Sequence, residues 1–165
     1  MELLECTLAV EDLDRFVADL GEIGDRHGVT VQAFDARYVA DRRHLERAVE
    51  LADRSIERGE NVARDRAVEI LLYAAGRRQI DRALEMGVDE GETRAVVLAD
   101  GPDELSALEA VRELEAFRAD VVTLENPDEE TLQAFFEIPD RERAATDASL
   151  GALVRERVAL LEVEK

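Results

Sequence analysis

Apolar residues dominate Glu2–Val10, which reads as a strand. From Asp12 the pattern is helical. Leu13, Phe16, Val17, Leu20 and Ile23 fall on one helical face and Gly28 supplies a stop, which predicts a helix from about Asp12 to Arg26. Val29–Phe34 reads as a second strand. Asp41 is a good N-cap, and Leu45, Ala48, Val49, Ala52 and Ile56 form the buried stripe of a helix ending before Gly59. The segment Arg64–Ala75 is apolar on nearly all sides, as expected of the most buried helix, and Gly76 ends it. A short helix is expected to follow, running to Met86-Gly87. Further on come a strand at Ala95–Ala99 and a helix opened by Gly101-Pro102-Asp103, with Leu105, Leu108, Val111 and Leu114 on its inner face. A strand is predicted at Val121–Leu124, then a helix capped by Asn126-Pro127-Asp128 and running through Phe136. Asp140–Thr146 is polar and reads as a loop. The last helix is predicted from about Asp147 to Arg157, with Val158–Val163 as its continuation or a final strand.

Strands and helices are mixed without strict alternation, since two or three helices in succession occupy residues 41–87. That predicts an α+β fold in one domain over residues 1–165, with a small mixed or antiparallel sheet and helices packed mainly on one side. No linker, tandem repeat or low-complexity stretch interrupts the chain. No apolar run approaches the ~18–20 residues of a membrane span. The N-terminus lacks the basic and apolar regions of a secretory signal, and Cys6 is the lone cysteine, so a reducing cytoplasm is expected.

Charge changes the picture. Forty acids against 21 bases leave a net charge of −19, and only one of those bases is Lys. Such a carboxylate-rich surface is expected of a protein that works in molar salt, where the Debye length shrinks to ~3 Å and self-repulsion is screened. The sign is uneven: Arg37 to Arg82 carries +2 and the remainder −21. Something in the middle of the chain resists acidification.

Enzyme signatures are missing. No Gly-rich loop is followed by Gly-Lys-Ser/Thr, and two His with one Cys are too few for a dedicated metal site, so neither a catalytic centre nor a cofactor is expected. His44 sits near the border of a helix's apolar face, as a half-buried structural histidine or a general base. Arg43, Arg47, Arg54 and Arg58 share a sector of ~60° at 100° per residue. They form either an ion-paired, solvated face or a nucleic-acid backbone contact. At Gly76-Arg77-Arg78-Gln79-Ile80 the chain leaves one helix and starts another at once. That corner is either a simple helix–helix junction or an anion site, with two Arg to bind phosphate or stack on a base and Gln79 to read a base edge. Ile80 and Tyr73 are candidate apolar supports.

Val68 to Leu84, with Gly76-Arg77-Arg78-Gln79-Ile80 at its centre, resembles the signature of the kinase-binding subunit of the KEOPS complex, sharpest in Gly-x-Arg-Gln-Ile. Phe34–Ala40 with His44–Ala48, and the ending Leu153–Glu162, are similar to further segments of that family. The resemblance implies an α+β protein without activity of its own or a cofactor. It would bind the N-lobe of an atypical kinase/ATPase that contacts a threonylcarbamoyl transferase, and would help to capture tRNA by its single-stranded 3′ end. On this reading tRNA meets Gly76, Arg77, Arg78, Gln79, Ile80, Arg43 and Arg47. The kinase meets Leu150, Leu153, Val154 and Val158, although those four residues also read as core. A small carboxylate-dependent enzyme and a self-pairing structural module are the rival expectations.

Overall fold

In the computed structural model, which describes residues 1–164, the N-terminal strand is realised as β1 (Glu2–Val10), with Leu4, Cys6, Leu8 and Val10 buried. Three further strands, β2 (Thr30–Asp35), β3 (Gly91–Asp100) and β4 (Phe117–Asp120), complete a sheet of order β2-β3-β1-β4. Every pairing is antiparallel, with Cys6 opposite Ala95 and Ala33 opposite Val97. The α+β class is as the sequence predicted.

The contacts divide the chain into two units, each built from two stretches. The first comprises Met1–Ala36 and Gly87–Thr123, and carries the sheet with α1 (Leu13–His27) and α5 (Glu104–Arg112). Phe16, Leu20 and Ile23 of α1 and Ala107, Leu108 and Val111 of α5 pack on the sheet face formed by Leu4, Cys6, Leu8, Val31, Ala33, Ala95 and Val97. Burial of this apolar surface is the main stabilising term. Cys6 is fully enclosed there, and burial pushes its thiol up to about 12. It is an inert core residue. Val17 and Leu105, read from the periodicity as inward, are exposed, because each lies at the rim of its helix's apolar stripe.

The second unit comprises Arg37–Met86 and the chain from Leu124 onward, and is helical. It contains α2 (Arg42–Glu57), α3 (Arg66–Ala75), α4 (Ile80–Ala83), a 3-10 turn at Leu84–Met86, α6 (Glu129–Phe135), α7 (Asp140–Ala144) and α8 (Leu150–Glu164). As its all-round hydrophobicity predicts, α3 is central: Glu69 to Ala75 are all buried. Glu69 is an acid in that core. Its carboxylate accepts from the Ser55 hydroxyl (3.0 Å) and from the backbone N–H groups of Val62 (3.1 Å) and Ala63 (3.0 Å), so the charge is met by donors that also shape the α2–α3 loop.

Two expectations change, and one open alternative is decided. The fourth strand lies at Phe117–Asp120 and precedes the apolar Val121–Leu124. It is a short edge strand whose outward side chains are charged, so hydrophobicity does not mark it. Asp140–Ala144 is a helix. It is polar all round because it is exposed, and it is held by Arg143 to Glu129 (2.8 Å) and Arg157 to Glu142 (2.6 Å). Val158–Val163 continues α8.

Candidate functional site

The Gly76 corner is assembled in the second unit. Gly76 adopts φ 62° and closes α3 in the left-handed conformation; its N–H donates to Tyr73 O (3.0 Å) and that of Arg77 to Leu72 O (3.1 Å), a Schellman closure. A Cβ at position 76 would lie 3.2 Å from the backbone oxygen of Arg157, so the end of α3 presses on the backbone of α8. Glycine is required twice over, by conformation and by space.

Beyond the glycine, Arg77 turns inward. Its Nη2 donates to the carbonyl of Phe135, and its guanidinium lies 4.8 Å from the centre of the Phe135 ring. The seat is aromatic on several sides, with Phe135 edge-on to Phe136 (5.0 Å) and to Tyr38 (5.0 Å). Arg37 lies 5.4 Å over the Tyr38 ring, so two guanidiniums stand on two touching rings. Arg157 fixes the back of this seat by donating to the carbonyls of Phe136 (3.2 Å) and Glu137 (3.1 Å) and pairing with Glu142. Those donors support Glu137, a non-glycine residue at φ 55°.

Arg78, Gln79 and Ile80 follow, all exposed, with Ile80 at 44 %. The helix that Gln79 caps is only four residues long and Gln79 makes no capping bond, so the anion-binding helix start expected from the sequence is reduced to a single turn. What the corner offers is side chains: a guanidinium, an amide and an apolar group around a second guanidinium already stacked on a ring. Tyr73 is buried and gives no support at the surface.

The Arg stripe of α2 divides. Arg47 pairs with Glu50 (2.7 Å), Arg54 with Glu50 (3.2 Å) and Glu162 (3.4 Å), and Arg58 with Glu162 (3.2 Å). Its C-terminal half therefore clamps α2 to α8. Arg43 is exposed and has no ion-pair partner among the described residues. It adjoins His44, which carries the start of α2 against the end of α3. His44 is fully buried: Ala40 N–H donates to Nδ1 (3.1 Å), which leaves the proton on Nε2 to be donated to Ala74 O (2.8 Å). Burial lowers its pKa to about 4. It is a structural histidine, more deeply enclosed than its border position implied, and Ser55 is likewise committed to Glu69.

Leu150, Leu153, Val154 and Val158 are all buried within the second unit. Their side chains hold α8 in place and are not presented to a partner; the exposed apolar side chains of this helix are Leu160 (47 %) and Val163 (81 %). The start of Leu153–Glu162 was readable as a helix with an apolar face, but not which of its apolar side chains lie outward. The aromatic seat was missed as well. Phe135 and Tyr38 are far apart in sequence, and only the adjacency of Arg37 and Tyr38 hinted at it. Among the described residues no cluster of His, Cys, Asp and Glu is arranged to hold a metal, and no helix is long and apolar enough to cross a membrane. A groove of about 760 Å³ in the first unit is lined by Glu11, Asp12, Asp19, Glu113 and Glu115 with Arg15 and Arg118. None of these acids is buried.

A family model described as kinase binding protein CGI-121 matches residues 15–162. No curated protein matches the chain.

Proposed function

The chain belongs to the kinase-binding protein CGI-121 family, and from that premise we propose that it is a non-catalytic subunit of a KEOPS-type tRNA-modifying assembly, binding the atypical kinase/ATPase and presenting the Gly76 corner to the unpaired 3′ end of tRNA. The observation that carries the RNA half is the Arg77 seat, a guanidinium stacked on Phe135 with Arg78, Gln79 and Ile80 exposed beside it. Unpaired bases are held by stacking on aromatic rings or guanidinium planes and by hydrogen bonds to their edges. Arg77 and Ile80 supply surfaces, Gln79 an edge reader, and Arg78 and Arg43 phosphate contacts. Arg47 adds charge only if it leaves Glu50. A site of this kind suits a cytoplasm rich in salt, where phosphate contacts weaken with the logarithm of salt at a slope of about −0.7 each for single strands. The threonylcarbamoyl transferase is reached indirectly, through the kinase.

For the kinase we assign the outward face of α8 at Leu160 and Val163. These are large apolar side chains left in water beside the Arg54–Arg58–Glu162 clamp, as expected of a surface awaiting a partner. Two orthogonal variants test both halves. Arg78→Glu should lower tRNA retention in molar salt by about tenfold while leaving the kinase bound. Leu160→Arg with Val163→Arg should abolish co-purification with the kinase and leave tRNA retention intact. If neither variant separates the two activities, the assignment of the surfaces is wrong. Light scattering of the isolated chain addresses self-pairing: a monomer is expected, and a dimer dissolved by the α8 substitutions would make that face a homotypic interface.

A further inference from the structure

His44 lies on neither surface assigned above, yet it touches both halves of the Arg77 seat. Its Nε2 donates to the carbonyl of Ala74, two residues before Gly76. Its ring meets Phe136 edge-on at 5.5 Å, and Phe136 adjoins Phe135, whose carbonyl and ring hold Arg77. Its Nδ1 takes the N–H of Ala40, two residues after Tyr38, whose ring packs on Phe135. One enclosed imidazole thus ties together the segments 38–40, 74–77 and 135–136.

We propose that His44 is a positioning residue for the RNA-binding corner: as the Nε2–H tautomer it fixes the end of α3 against the Phe135-Phe136 pair and so sets the direction of the Arg77 guanidinium. This rests on the reading that the corner takes unpaired RNA. A histidine that merely filled space would leave Arg77 in place when replaced by another planar ring that packs in its site. Here both hydrogen bonds terminate on backbone that frames the seat, so their loss lets the two sides move apart. The charged groups facing the imidazole, Asp41 at the start of α2 and Arg155 on α8, act in opposite senses. Burial outweighs both and keeps the ring neutral.

The test reads Arg77 by guanidinium NMR in the full-length chain, and in parallel the affinity for a single-stranded oligonucleotide carrying the tRNA 3′ end. His44→Phe puts a phenyl ring, somewhat larger than imidazole, in the site and removes both hydrogen bonds; His44→Gln keeps a donor for Ala74. Separate Nη resonances of Arg77, the mark of a guanidinium that does not rotate freely, are expected in the native chain and in His44→Gln, and should collapse in His44→Phe. Oligonucleotide affinity should fall about tenfold in His44→Phe and stay within about twofold in His44→Gln, with kinase co-purification unchanged. Unaltered Arg77 resonances in a folded His44→Phe chain overturn the proposal. If that variant does not fold, Phe136→Leu interrogates the same bridge from its other end, and unaltered Arg77 resonances there overturn it equally. Arg77 released as expected while oligonucleotide binding stays unchanged, in Arg78→Glu too, leaves the positioning role standing and removes the RNA reading instead.

Discussion

At the residue scale the decisive groups are polar and buried. Periodicity located His44 and Glu69 on their helices but could not show their burial, because each is tolerated in the core only through partners distant in sequence: Ala74 for His44, and Ser55 with the Val62 and Ala63 amides for Glu69. His44 makes a pH prediction. Its folded pKa, about 4, lies below the ordinary histidine value of 6.5, so the unfolded chain takes up the proton first as pH falls. The stability contributed by neutral burial is complete above about pH 6.5, declines as pH drops towards about 4, and does not change further below that. The whole effect is about 3 kcal/mol. Denaturant unfolding of the native chain and of His44→Gln at pH 7.5 and pH 4.5 should show a larger loss for the native chain. Equal losses would mean that the imidazole is not enclosed as described.

At the element scale, the α3–α4 corner shows what local signals convey and where they fail. A glycine after an all-apolar helix is a strong stop signal, and the left-handed closure at Gly76 follows from it. That the same glycine must also let α3 press against the backbone of α8 is a long-range constraint with no local trace. Gly76→Ala should therefore cost about 1–3 kcal/mol in denaturant unfolding, from left-handed strain together with the 3.2 Å approach to the Arg157 oxygen. A loss below about 0.5 kcal/mol would mean that the corner relaxes freely. The last helix carries the converse lesson. Its apolar positions predicted a helix, yet Leu150, Leu153, Val154, Val158 and Leu161 are buried while Leu160 and Val163 lie outward, because α2 and α3 pack against only one side of it. Similarly β4, Phe117-Arg118-Ala119-Asp120 at the sheet edge, alternates over too few residues to stand out.

At the scale of the whole molecule, charge orders the picture. The stretch Arg37 to Arg82 keeps +2 in a chain of −19, and the fold uses its Arg in two ways. Arg47, Arg54 and Arg58 are spent on Glu50 and Glu162, whereas Arg37 and Arg77 stand on aromatic rings with Arg78 exposed nearby. Composition alone revealed that this stretch resists acid, and the family resemblance singled out its centre. The division between ion-paired and ring-stacked guanidiniums needed the tertiary contacts. On the proposed RNA reading, two phosphate contacts from Arg78 and Arg43 would give a salt slope of about −1.4, shallow enough for stacking and edge contacts to sustain binding in molar salt. The most direct measurement compares intact tRNA with tRNA trimmed of its unpaired 3′ nucleotides, titrated against the chain from 0.2 to 2 M KCl. The trimmed tRNA should bind about tenfold or more weakly at every salt concentration, with a slope near −1.4 for the intact molecule. Equal affinity for the two tRNAs, or a slope several times steeper that extinguishes binding by 1 M, would contradict a site built on a seated Arg77 and its exposed neighbours.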